Sequence, residues 1–182
     1  MSQPIRMSSL VSGPAPGFEQ PFEMLEACHE RVQRMLALLQ RLREHLSGHG
    51  ADANARQAAR DVMRYFDQAA PQHHRDEELH VFPPLLAQGD PATLVLVRRL
   101  QRDHLQMEAR WAAAREVLSA VEAGSLGALA PGHEAALDAF ANPYADHIAA
   151  EEQLAYPAAA ALLDGDALTA MGEEMMRRRG VI

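Results

Sequence analysis

Apolar residues recur along this chain at alternating steps of three and four, and four long stretches follow that rhythm. From about Pro21 to Leu46 the seam holds Phe22, Leu25, His29, Val32, Leu36 and Leu39, which predicts a helix with one buried stripe. The loop Ser47-Gly48-His49-Gly50 ends it, and Asp52 is placed to cap the next helix. That second helix is expected to reach about Ala87, with Ala59, Val62, Phe66, Ala69, His73 and Glu77 on its seam. Pro71 predicts a kink just before His73. Asp90 as N-cap and Pro91 at the first helical position start a third helix running to about Ala123, which buries Val97, Leu100, His104, Met107, Trp111, Leu118 and Val121. After a small-residue loop to Pro131, a fourth runs from about Gly132 to Leu163. Its seam carries Leu137, Phe140, Tyr144, His147, Glu151, Leu154 and Ala158, with Pro143 a few residues upstream of the histidine. A short last helix, Ala167 to Arg179, ends in a basic cluster that suits the negative end of its own dipole.

Strand signals are nearly absent, so the expected fold class is all-α. Four helices of this length joined by short loops pack best as an antiparallel up-and-down four-helix bundle, here residues 21–163. Residues 1–20 read as an irregular N-terminal arm and 164–182 as a C-terminal capping helix, all within a single domain. At 182 residues the chain has room for one sizeable core and little more.

Composition narrows the chemistry. Seventeen basic residues against 25 acidic ones give a net charge of -8, and no basic stripe stands out, which argues against a nucleic-acid partner. No run approaches the roughly twenty apolar residues of a membrane span. The N-terminal segment has no apolar core and carries Pro4, Pro14 and Pro16, so it does not read as a signal peptide, and a cytoplasmic protein is expected. Nine histidines stand beside a single cysteine. That imbalance excludes a disulfide scaffold, a Cys-rich zinc finger and an iron–sulfur site, and leaves imidazole and carboxylate chemistry.

The histidines fall where the pattern calls for apolar residues: His29, His73, His104 and His147, one on each long helix. His73-x-x-x-Glu77 and His147-x-x-x-Glu151 put an imidazole and a carboxylate on one helix face. The two halves also repeat. The segment His73–Pro83 matches His147–Pro157 at an offset of 74, and His29 matches His104 at 75. A long period occurring twice predicts two helical hairpins about a pseudo-twofold axis. Buried carboxylates cost several kcal/mol each unless compensated, and no Lys or Arg shares these seams. Two divalent cations, bridged by Glu77 and Glu151 and held terminally by the imidazoles, compensate both. A thiolate-free site of this kind suits iron, although zinc, manganese and copper also use such ligands.

At these residues the sequence resembles the hemerythrin-like, HHE cation-binding family. The resemblance runs from about Phe18 to Leu163 and rests on His29 after Ala-Cys, His-x-x-x-Glu-Glu followed by Phe-Pro, His104, and a second His-x-x-x-Glu-Glu followed by Tyr-Pro. It implies a four-helix bundle with a non-haem di-iron centre, bridged by carboxylates and an oxo or hydroxo group, that binds or reacts with dioxygen, peroxide or nitric oxide. Oxygen-carrying hemerythrins have His-x-x-x-His on the third helix, where this chain reads His104-x-x-x-Glu108. They place Asp five residues after the fourth-helix His, where Glu151 and Glu152 stand at four and five. Those departures put reversible oxygen carriage in doubt and favour sensing, buffering or redox chemistry. Two other readings stand beside it: a di-iron oxidase, peroxidase or nitric oxide reductase, and an iron-repair or regulatory module acting through a partner, with the final basic helix as its surface.

Other residues near the seams have weaker claims. His74 lies about 100° around the helix from His73 and either replaces it or adds a ligand from the side; His73 is preferred because it keeps the repeat register. His80, seven residues beyond His73, is expected at the pocket mouth or behind the ligands, because the second half has Leu154 where a ferritin-like pair needs a second histidine. Glu108, on the seam edge, reads equally as a direct metal ligand or as a solvated or outer group. Glu78 and Glu152 are expected to be exposed or behind the ligands, Cys28 packed, and Tyr144 or Tyr156 near enough to meet a bound oxygen species. His45, His49 and His133 lie at helix ends or in loops.

Overall fold

A computed structural model describes residues 16–182; the first fifteen residues of the expected arm lie outside them. Helices account for most of the described residues, and no strand occurs among them. In chain order they are α1 (Pro21–His49), α2 (Ala53–Asp76), a π-helical turn (Glu77–Val81), α3 (Phe82–Gln88), α4 (Pro91–Glu122), α5 (Pro131–Ala141), α6 (Tyr144–Ala150), a second π-helical turn (Glu151–Ala155), α7 (Tyr156–Ala160) and α8 (Gly165–Arg178). Helix α1 packs on α2, α2 on α4 and α4 on α5, giving an all-helical bundle.

The starts follow the side-chain caps. Asp52 accepts the N–H of Ala55 at 2.8 Å, Asp90 that of Thr93 at 2.8 Å and Asp164 that of Ala167 at 2.9 Å. The end of α1 differs from expectation: Ser47, Gly48 and His49 stay helical, and Gly50 alone, at φ 66°, turns the chain.

The second and fourth long helices are less regular than their seams predict. Pro71 lies inside α2 without ending it, and the irregularity comes later, at Glu77. The fourth helix is interrupted at Asn142 and Pro143 and again at Glu151. The two π turns occupy matching places in the repeat, where the N–H of Phe82 returns to Glu77 and that of Tyr156 to Glu151, each five residues back. One residue after each turn's end stands a proline, Pro83 or Pro157, which has no N–H to give to Leu79 or Gln153 and whose ring crowds that carbonyl. One wide turn relieves the conflict. It also rotates the residues at its end and beyond about the helix axis. Leu154, expected on the seam, is 56% exposed, while Val81, Phe82, Ala155 and Tyr156 are buried.

Among the described residues, apolar side chains form two separate clusters, with a polar layer between them. On α1 the order is Leu25, His29, Val32; on α2 and its π turn it is Ala70, His73, Glu77, Val81; on α4 it is Leu100, His104, Met107; on the last long helix it is Ile148, Glu151, Ala155. Leu25, Val81, Leu100 and Ala155 belong to one cluster, and Val32, Ala70, Met107 and Ile148 to the other. Helix α8 closes the first cluster with Met171 and Met175. The capping segment is therefore part of the core rather than a surface appendage.

Candidate metal centre

Among the described residues seven polar or charged ones are buried, and six of them are the seam set: His29, His73, Glu77, His104, His147 and Glu151. The two carboxylates lie at its middle. Glu77 turns Oε1 toward His73 Nε2 at 3.4 Å and His29 Nε2 at 3.9 Å, and Oε2 toward His104 Nε2 at 3.4 Å. Glu151 turns Oε2 toward His29 Nε2 at 3.2 Å, and Oε1 toward His147 Nε2 at 2.9 Å and His104 Nε2 at 3.6 Å. Each carboxylate thus offers one oxygen to each side of the layer. His29, His73, Glu77 and Glu151 bring donor atoms within 4.8 Å of one another, and so do His74, His104 and His147.

Many of these buried atoms have no hydrogen-bond partner: Glu77 Oε2, both oxygens of Glu151, and Nε2 of His104 and His147. Lone pairs gathered in a water-excluded volume without aligned donors fit a cation; without one, only protons taken up by the facing imidazoles of His29 and His104 offset the carboxylates. The donor chemistry, imidazole nitrogen with carboxylate oxygen and no thiolate, fits a borderline divalent metal.

The imidazoles are oriented from behind. Glu152 Oε1 accepts the Nδ1–H of His29 at 2.9 Å, and Glu78 Oε1 accepts that of His104 at 2.9 Å, while Glu78 Oε2 takes a bond from Gln101 at 2.8 Å. A carboxylate only accepts, so the proton sits on Nδ1 and Nε2 faces the centre as a donor of electrons. Asp103 stands 3.5 Å from His147 Nδ1. Helix periodicity predicts these two glutamates to be exposed or outer residues. Their link to the imidazoles is a long-range contact between helices that such a pattern does not show.

Charge follows the same arrangement. Burial opposes protonation of His104, but Glu151, Glu77 and Glu78 outweigh it and push its pKa up to about 11. Burial likewise opposes His29, and Glu151, Glu77 and Glu152 raise it. His73, fully enclosed, is lowered by burial. His74 is held well below the usual value by burial and by the neighbouring imidazoles of His104 and His73. Burial pushes the Glu151 carboxyl up, but His104, His147 and His29 hold it well below the ordinary range. A cation entering here takes over the role of those protons and releases them.

The remaining sequence candidates separate. His74 joins the centre beside His73 rather than replacing it: its ring stacks on His104 with centroids 4.1 Å apart. His80 turns away and bonds Glu174 of α8 at 2.6 Å, because the wide turn at Glu77–Val81 breaks the seven-residue face that aligns it with His73 in a regular helix. Glu108 is exposed on a cavity wall, outside both donor groups. Tyr144 is buried on the same cavity wall, and burial raises its pKa, so it stays protonated. Tyr156 donates to Glu77 Oε1 at 2.5 Å, and burial together with Glu77 and Glu151 keeps its hydroxyl protonated. The repeat places Phe82 opposite Tyr156, and Ile148 opposite His74, so the two sides of the centre differ by one hydroxyl and one imidazole. Cys28 is half-buried, with its thiol pKa raised by burial.

Sequence reasoning missed Asp76, the seventh buried polar residue, fully enclosed next to Glu77. Arg178 and Arg179 reach it from the end of α8, the latter at 2.6 Å. Two arginines expected on a surface cluster are instead turned inward to neutralise it. No local spacing signals a pair more than a hundred residues apart.

An all-helical bundle with a buried layer of imidazoles and shared carboxylates is a cation-binding protein of the histidine–carboxylate kind. Residues 20–159 match the hemerythrin HHE cation-binding domain, and the chain belongs to that family. It is also similar to an uncharacterized protein of Haemophilus influenzae, 32% identical over 164 residues that span 90% of this chain and 92% of that one.

Proposed function

We propose that the chain is a hemerythrin-like non-haem di-iron protein of the cytoplasm, built as an antiparallel up-and-down four-helix bundle, that binds dioxygen, peroxide or nitric oxide in sensing, storage or stress response. The observation that carries this reading is the double-sided placement of Glu77 and Glu151, each with one oxygen toward each of two imidazole groups. The alternation of the two apolar clusters along successive helices supports the antiparallel arrangement. His29, His73, His74, His104 and His147 would hold two irons terminally and the two glutamates would bridge them; zinc or manganese accepts the same donors. Iron there supplies a reversible one-electron change and an open coordination position.

The chain's own residues tune that position. Glu152 and Glu78 fix ring tautomers, and the Tyr156 hydroxyl shares the charge of Glu77. His74 supplies the fifth imidazole that the sequence lacks at position 108. With it, the donor set keeps more neutral character than the third-helix spacing implies, which brings reversible binding back into contention. The second reading is a redox enzyme, favoured by a cavity of about 580 Å³ that reaches His74 and His104.

Anaerobic metal analysis of protein produced with iron, paired with a visible spectrum after oxidation, tests the reading. About two irons per chain are expected, lost together with the spectrum in Glu77→Ala plus Glu151→Ala. Iron-free protein, or a double variant with unchanged spectrum and melting, overturns it. Ferrous protein that takes up dioxygen and releases it under argon is a binder, and irreversible oxidation with peroxide turnover marks the enzyme.

A further inference from the structure

The cavity beside the centre is far larger than any diatomic ligand requires. Its volume is about 580 Å³, whereas a water's share of liquid is about 30 Å³ and an apolar cavity of about 150 Å³ already holds benzene. It lies between α2 and α4, with residues of α5 and α6 as its floor, and one end reaches His74 and His104.

Its walls are chemically sorted. Phe66, Trp111, Phe140 and Tyr144 form a continuous aromatic surface, with Trp111 centred 5.2 Å from Phe66 and 4.9 Å from Phe140, and Phe140 centred 5.4 Å from Tyr144. Trp111 is fixed in place. Its indole N–H donates to Asp67 at 3.0 Å, and Arg115 holds Asp67 through two contacts at 2.9 and 3.0 Å. An aromatic wall locked before a ligand arrives loses little freedom on binding. Nearer the metal end of the same helix as Trp111, Gln101 gives its amide to Glu78 at 2.8 Å and has its carbonyl oxygen left for another partner. Among the charged side chains of the lining, Glu78 is taken up by His104 and Gln101, which leaves Glu108 and Arg75 to balance, in a chain of net charge -8. The lining thus offers no spare positive charge to offset the desolvation of an anionic guest.

We propose that this cavity is a binding site for a neutral planar aromatic molecule of one or two rings bearing a hydroxyl or carbonyl group, held against Trp111 and Phe140 beside the metal centre. Apolar walls with a few converging polar atoms are the usual construction of a small-molecule site. The site goes beyond a small-oxidant role and does not depend on which metal the centre holds.

The single tryptophan makes the proposal readable, since one indole resonance reports the cavity wall. The full-length protein, stripped of metal and separately loaded with iron, is titrated with 1-naphthol and with 1-naphthoate by calorimetry. The Trp111 indole N–H is followed by NMR in the stripped sample. We expect saturable binding of one naphthol per chain that shifts the indole signal, at least about tenfold tighter than naphthoate and within about twofold the same with and without iron. Trp111→Ala weakens it by about tenfold or more. Leu105→Asp, at a rim position 69% exposed and so harmless to folding, weakens it several-fold without moving the melting temperature. The proposal is overturned by an absence of saturable heat with an unmoved indole signal, by naphthoate binding as tightly as naphthol, or by unchanged affinity in both variants. Protein that was produced with iron, carries none by elemental analysis and still binds naphthol refutes the di-iron reading alone.

Discussion

Glu78 and Glu152 stand behind the ring of donor atoms, yet they decide what His104 and His29 present to the centre. A ring whose Nδ1–H is held at 2.9 Å by a carboxylate shows its Nε2 lone pair inward and gains basicity from the negative charge behind it. Side chains in this position typically govern metal affinity by about 10–100-fold. Glu78→Ala and Glu152→Ala should therefore each weaken metal binding by about that factor in a competition titration against a chelator. Gln at either position keeps an accepting oxygen and should recover most of the loss. If the Ala variants hold metal as firmly as the parent, the two glutamates are surface groups only. Each glutamate also holds the N–H of a buried imidazole, so each Ala change should cost the metal-free protein about 1–3 kcal/mol, which the Gln variants restore in part.

Helix α8 shows how a glycine can be required inside a helix. The carbonyl of Phe18 passes so close to Gly172 that an added Cβ would stand 2.1 Å from its oxygen. Gly48, in the last turn of α1, has nothing within 4 Å. Gly172→Ala should destabilise the fold by about 1–3 kcal/mol through forced displacement, whereas Gly48→Ala should stabilise it by about 0.5–1 kcal/mol from helix propensity. Urea unfolding midpoints of the two variants, moving in opposite directions, check this; a loss at both positions or at neither would remove the close-approach argument. Element existence was legible from periodicity, as were the seam positions of His29, His73, Glu77, His104, His147 and Glu151, because a histidine on an apolar stripe stands out against its neighbours. The π turns were written in Phe82-Pro83 and Tyr156-Pro157, but an ideal 3.6-residue template cannot show them, and so it misplaced Leu154 and His80. Asp76 and its two arginines were illegible for a different reason. Their pairing depends on how α8 returns to the bundle, which no local pattern encodes.

On the scale of the whole molecule, metal and protons compete for the same buried lone pairs, so stripping the metal should make stability depend on pH in a defined direction. His104 has its pKa raised from 6.5 to about 11, and His29 is raised as well. Groups raised on folding contribute stability that is complete below their unfolded pKa and is lost as pH rises toward the folded one. Glu151, lowered on folding, contributes above 4.5 and is lost in acid as it protonates. His73 and His74, lowered on folding, remove stability as pH falls below about 6.5, so stripped protein should be most stable near that pH and weaken above it, by up to about 1.4 kcal/mol per pH unit for each imidazole held protonated. The alkaline window is unusually clean, because the sequence contains no lysine and all 17 basic side chains are arginines. Cys28 and the tyrosines, each raised by burial, add losses only from about pH 9 upward, so the measurement belongs between about pH 6.5 and 8.5. Iron-loaded protein, with those nitrogens committed to metal rather than protons, should melt at nearly constant temperature across the same window. Equal melting of stripped protein at both ends of that window would show that the imidazoles carry no extra protons and that something other than a cation balances Glu77 and Glu151.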